Sequence, residues 1–137
     1  MDDATRRAYV QVRLAKARDD LKTARDDLAH GHYRGAINRA YYTIFHTASA
    51  VLLWHNIERA RHSGIQSSFG EFLIKPGAIE AEYGRMYSRA RKAREKHDYD
   101  LDAVWPSREE AEQIVADAER FVARIECYLR GEGAISS

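Results

Sequence analysis

Ile37-Asn38-Arg39-Ala40-Tyr41-Tyr42-Thr43-Ile44-Phe45-His46-Thr47-Ala48-Ser49-Ala50-Val51-Leu52-Leu53-Trp54 is the stretch that decides the fold. Ile37, Tyr41, Ile44, Ala48 and Val51 or Leu52 return every three or four residues, which is the period of an α-helix and not of a strand. Ala40, Phe45, Leu53 and Trp54 fall off that stripe and widen it. Apolar surface on several sides marks a helix buried among others. The stretch therefore predicts a central helix that begins near Tyr33. Its mostly apolar run, Ala40 to Trp54, falls short of the roughly 20 residues that span a bilayer, and it contains His46.

The flanking sequence supplies helices to pack around it. Upstream, Val10, Leu14, Ala17, Leu21, Ala24 and Leu28 form one apolar stripe, and Gly31 is a natural stop because it tolerates the left-handed conformation. Downstream, Asn56 to Gly64 reads as a polar loop. Ile65, Phe69, Phe72 and Leu73 suggest a short helix, which Lys75-Pro76-Gly77 breaks. A further helix is expected from about Ala78 to Lys96, with Ile79, Tyr83, Met86, Tyr87 and Ala90 inward and a loop from His97 to Pro106. The last helix opens with Ser107 and Glu110 spaced as a capping box. It continues through Ala111, Ile114, Ala118, Phe121, Val122, Ile125 and Leu129 to Gly131. The fold class is all-α: an antiparallel up-and-down bundle of four long helices plus a short one. Residues 1–137 form a single domain, with 131–137 expected to fray.

Composition narrows the function. The formal net charge is +1 with 31% charged residues, which argues against a strong nonspecific nucleic-acid binder while leaving room for a local basic patch. Cys127 is the only cysteine, so no intrachain disulfide forms and a reducing cytoplasm is the expected location. Met1-Asp2-Asp3 does not resemble a signal peptide, and no membrane association is expected. The glycines are scattered, without a phosphate-binding loop, and the histidines at 30, 32, 46, 55, 62 and 97 lack metal-ligand spacing. No cofactor or metal is called for.

Three places could carry chemistry. Arg39 and His46 lie seven residues apart on one helix, with Tyr42 between them, and make a polar seam. That seam could hold a phosphate or a nucleotide, or it could be a hydrogen-bond network that orders the core. Arg91, Arg94, His97 and Tyr99 form the second place. An imidazole that moves protons near neutral pH, beside a guanidinium that holds phosphate, is the minimum for attack by an RNA 2′-hydroxyl. The alternative is a basic helix face followed by a loop. The third is His62-Ser63-Gly64 after Arg59 and Arg61, either an anion site or a helix start capped by Ser63.

Together these segments resemble the HEPN domains (higher eukaryotes and prokaryotes nucleotide-binding), and among them the short stand-alone prokaryotic proteins. The residues that carry the likeness are Asn38-Arg39-Ala40-Tyr41-Tyr42-Thr43-Ile44-Phe45-His46; His62-Ser63-Gly64 with Phe69, Phe72 and Lys75-Pro76-Gly77; and Arg94-Glu95-Lys96-His97-Asp98-Tyr99-Asp100. The resemblance implies a helical bundle that works as a homodimer. Many HEPN proteins are metal-independent ribonucleases, and many are toxins of toxin–antitoxin pairs. Their motif is an arginine, a short spacer and a histidine, often with a tyrosine just beyond. Arg91, His97 and Tyr99 match it, whereas Arg39 to His46 meets only the bare spacing. The arginine aligned with this branch's own pattern is Arg94, with two residues between it and His97.

Two functions remain open at this point. In the first, the chain is an endoribonuclease toxin in which His97 moves the proton, Arg91 and Arg94 hold the phosphate, and RNA is the substrate. In the second, it is a noncatalytic module that binds a nucleotide or a partner nucleotidyltransferase of the MNT class. Tyr99 would be the position such a partner modifies.

Overall fold

The computed structural model describes residues 1–99 and 104–136. It contains α1 (Asp3–Ala29), α2 (Tyr33–Trp54), α3 (His62–Phe69), a π-helical turn (Gly70–Ile74), α4 (Ala81–Tyr99) and α5 (Arg108–Gly131). No strand occurs among the described residues. α2 is the hub and packs against α1, α3, α4 and α5. Ile37, Ala40, Tyr41, Ile44, Ala48, Val51 and Leu52 are all buried, as the all-round apolar pattern requires. The connection from α1 to α2 spans only residues 30–32, so the two helices run antiparallel. Gly31 turns that corner at φ +77, a conformation any side chain would strain.

Local chemistry sets the helix ends. Asp2 caps α1, its carboxylate accepting the Thr5 N–H at 2.7 Å. Ser107 caps α5, its Oγ accepting the Glu110 N–H at 3.0 Å. The expected reciprocal half of that box is replaced, because the Glu110 carboxylate pairs with His97.

Four expectations need correction. α4 begins at Ala81 and continues through His97 to Tyr99, so His97 is helical and not the start of a loop. Ile79 is fully buried as expected, but it sits in the turn before α4, where its N–H donates to the Leu73 carbonyl at 2.9 Å. α3 starts at His62 behind an extended Arg61 that makes no side-chain cap, so Ser63 lies inside the first turn and does not cap it. The expected short helix ends at Phe69 and widens into the π turn, where Leu73 is buried and Phe72 is exposed.

The fourth correction concerns the tail. Ala134 is fully buried, its N–H donates to the Leu129 carbonyl at 2.9 Å, and Arg7 Nε donates to the Gly133 carbonyl at 3.1 Å. Gly133, at φ +75, turns the chain back onto the bundle, so the residues just past α5 are tied down and not frayed. No described helix is long and apolar enough to cross a membrane.

Candidate functional site

Helical phase decides what α4 presents. Met86, Ala90, Ala93 and His97 recur at spacings of four, three and four and are all buried. His97 therefore continues the inward stripe of α4. Its side chain is 3% exposed, and Nε2 lies 2.7 Å from Glu110 Oε1 on α5. Arg91, Arg94 and Asp98 follow the same period on a neighbouring face. Six residues at about 100° each put Arg91 and His97 roughly a third of a turn apart. The structure does not bring His97 to the Arg91 side of the helix. Tyr99 closes α4, and its side chain lies outside the described residues.

Arg94 instead reaches α2. One guanidinium nitrogen donates to the Tyr42 hydroxyl at 3.2 Å, and the group lies 4.8 Å from the Tyr41 ring centre and 5.1 Å from that of Tyr42. Guanidinium over an aromatic face is attracted by the ring quadrupole. Arg94 Nε is 3.6 Å from Asp98, which also accepts from Asn38 Nδ2 at 3.1 Å and lies 3.6 Å from Arg34. Asn38 in turn accepts from Arg39 at 2.9 Å. Arg39 and His46 both face Asp20 of α1, at 3.1 and 3.6 Å. The polar seam of α2 and the arginine segment of α4, separate in the sequence, are thus one network.

That network lies at the rim of the bundle. Lys16, Asp20, Arg39, Tyr42 and His46 border an open groove of about 370 Å3. Burial lowers the pKa of His46, and Lys16 adds to this while Asp20 opposes it.

From sequence, His62 belongs to the third candidate place, either an anion site or a helix start. Its ring centre is 4.1 Å from that of Phe45, and Nδ1 is 3.3 Å from the Tyr41 hydroxyl. Burial lowers its pKa, and the Arg94 charge pushes it the same way, so the imidazole is neutral at pH 7. Burial raises the Tyr41 phenol, against the pull of Arg94 and Arg91, so both arginines are close enough to bias it. Next to His62, Ser63 lines a cavity of about 560 Å3 that Arg91, Lys75 and Gln66 also border. Tyr41 is therefore the centre of a group formed by Arg91, Arg94, Tyr42 and His62. No sequence signal marked His62 for this group, because its partner Phe45 lies on another helix. Asp98 was legible, being four residues after Arg94 on one helix face. Among the described residues no cluster of His, Cys, Asp and Glu is arranged to hold a metal ion.

Comparison with known proteins agrees with this architecture. The family model described as "HEPN domain" matches residues 10–128. A Methanocaldococcus jannaschii protein named "Putative toxin MJ0605" is 39% identical over 90% of this chain and 91% of its own length. A Thermotoga maritima "UPF0332 protein" is 32% identical over 81% of this chain and 83% of its own. A second M. jannaschii protein, "Putative toxin MJ0142", is 28% identical over 85% of this chain and 78% of its own. With a match across most of its length, the chain belongs to the HEPN domain family.

Proposed function

We propose that this chain is a HEPN toxin acting on RNA, a metal-independent endoribonuclease whose Arg/His chemistry sits around Tyr41. The observation that carries the proposal is the exposed His62 imidazole and the Arg94 guanidinium, both set against the Tyr41–Tyr42 pair. The toxin names of the two M. jannaschii relatives support the biological setting.

The chemistry follows from these groups. His62 Nδ1 lies 3.3 Å from the Tyr41 hydroxyl, and in the tautomer that donates Nδ1–H to that oxygen, Nε2 is left as an acceptor. It takes the proton from a ribose 2′-hydroxyl, and the 2′-oxygen attacks the adjacent phosphorus. The bond to the 5′-oxygen breaks, and water protonates that oxygen. The products are a 2′,3′-cyclic phosphate and a free 5′-hydroxyl. Arg91 and Arg94 hold the phosphate and offset its developing charge. A homodimer, expected for this reading, would set two such faces near each other. A toxin also calls for an antitoxin, and a nucleotidyltransferase of the MNT class acting at Tyr99 fits that role.

The test is RNA cleavage in EDTA by wild-type protein beside His62→Ala and Arg94→Gln. Cleavage to cyclic-phosphate ends, lost in both variants, is the expected outcome. Retention of full activity in His62→Ala would refute the role given to His62.

One observation favours a second reading. Arg94 is already engaged by Asp98 and Tyr42, and His97 by Glu110. Such internal satisfaction suits a noncatalytic module that docks a nucleotide or a nucleotidyltransferase. A confirmed dimer that cleaves no RNA yet binds such a partner in calorimetry would establish it.

A further inference from the structure

We infer that the α1–α2 corner carries a nucleobase subsite, selective for guanine, beside the arginine network. It deepens the RNA-directed reading above by naming a base the site would read, and it can be tested without any cleavage. The two sides of the pocket are Trp105, just before α5, and the first turn of α2 with Asp27 of α1. They enclose about 550 Å3, a volume in the range of small-ligand sites.

Four features point to a base. Trp105 is 74% exposed, although it is among the largest apolar side chains in the protein. The Arg34 guanidinium lies 5.7 Å from its ring centre, and the exposure leaves ring surface for a second planar group. Asp27 borders the pocket, and among the described residues its carboxylate makes no hydrogen bond or ion pair. It leans over Gly35, where a Cβ would come within 2.7 Å of Oδ2; only a glycine there leaves that place to the carboxylate. A carboxylate that is not spent internally accepts two N–H groups at once, and the Watson–Crick edge of guanine presents that pair while adenine does not. Tyr33 forms part of the rim, its hydroxyl accepting from Arg108 at 3.0 Å, so cations flank the aromatic wall.

The pocket is also continuous with the network. Asp27, Arg34, Gly35 and Trp105 border a second hollow of about 360 Å3 that Asn38, Arg39 and Asp98 close on its far side. A base stacked on Trp105 would therefore place its attached phosphate toward Arg34 and Arg39. This is the pattern of single-strand recognition, with an aromatic platform for the base and cations for the backbone.

The experiment is calorimetric titration of the full chain with GMP and with AMP, and with tryptophan fluorescence as a second readout. Wild type should bind GMP saturably, with quenching, and at least about tenfold more tightly than AMP. Trp105→Ala should weaken GMP about tenfold or more, while Trp105→Phe, which keeps a stacking face, should stay within a few-fold. Asp27→Asn should erase the preference for GMP over AMP. Circular dichroism confirms that each variant is folded. No heat and no quenching at millimolar GMP, or equal affinity in wild type and Trp105→Ala, would overturn the subsite. An unchanged preference in Asp27→Asn would overturn the guanine assignment. GMP binding without RNA cleavage would sink the ribonuclease reading alone, and cleavage without GMP binding would sink this one alone.

Discussion

His62 and His97 make opposite predictions, and their burial tells them apart. His97 is 3% exposed and its Nε2 pairs with Glu110, whose own side chain is 32% exposed. His97→Ala removes a buried ring and opens a cavity between α4 and α5, a class of change that costs about 2–5 kcal/mol. It also removes a hydrogen bond to a carboxylate, worth about 1.5–3 kcal/mol, but water can reach Glu110 and replace much of that. The net loss should be about 2–4 kcal/mol, which lowers the melting temperature by about 8–15 °C in a chain of this size. His97→Gln fills similar volume and still donates an N–H to Glu110, so it should stay within about 1.5 kcal/mol of wild type. Urea denaturation measures both values. RNA cleavage in EDTA, assayed well below the melting point, then separates folding from chemistry. His97→Gln should remain active and His62→Ala should not. A folded His97→Gln that has lost all cleavage, beside an active His62→Ala, would refute the argument from burial and return the proton transfer to His97.

Other consequences are simpler to check. Burial holds the pKa of His46 and of His62 below the unfolded value of 6.5. As pH falls through that value the unfolded chain takes up protons first, so stability should decline as the pH drops below 6.5 and level off below the folded pKa values. Exchanging both histidines for glutamine should flatten the slope, and an unchanged slope would show that other groups dominate. Asp20 is the neighbour that raises the His46 pKa against burial, so Asp20→Asn should lower it further in an NMR titration; an upward shift would contradict the assigned contact. Truncation after Glu132 removes buried Ala134 and its bond to Leu129, together with the Arg7 contact at Gly133. A loss of about 1–2 kcal/mol is expected, and none would mean that the tail does not hold the ends of α1 and α5 together.

Much of the fold could be read from spacing because α2 is apolar on several sides, so any packing of the chain must surround it. The ends of α4 were misread for local reasons. Ile79 is a core residue, yet the turn after Gly77 buries it without a helix. The charged run around Lys92 to Lys96 hid the fact that Met86, Ala90, Ala93 and His97 keep one helical period. Following that period would have turned His97 inward. Ser63 has the chemistry of a cap, but the packing of the His62 ring on Phe45 goes with a helix that starts two residues earlier than a Ser63 cap would set. That contact joins residues on two helices, and no local pattern carries it. Arg91 and Arg94 were legible as phosphate-binding candidates, whereas the joining of Arg94 to the α2 seam depends on how the two helices lie together.

The network also explains how a site can be ordered before any ligand arrives. α2 is fixed by four neighbouring elements, so the face carrying Asn38, Arg39, Tyr42 and His46 has little freedom to rearrange. Arg94 is held against that face by two aromatic rings and a hydroxyl, contacts that constrain its position without cancelling its charge. Asp98 does oppose the charge, but Asn38 and Arg34 hold the carboxylate as well. A phosphate that took the Arg94 fork would leave Asp98 with Asn38 and Arg34 as partners. If Arg94 holds the phosphate as proposed, its place on two aromatic faces, beside a carboxylate that has other partners, would make it a cation positioned before the ligand arrives.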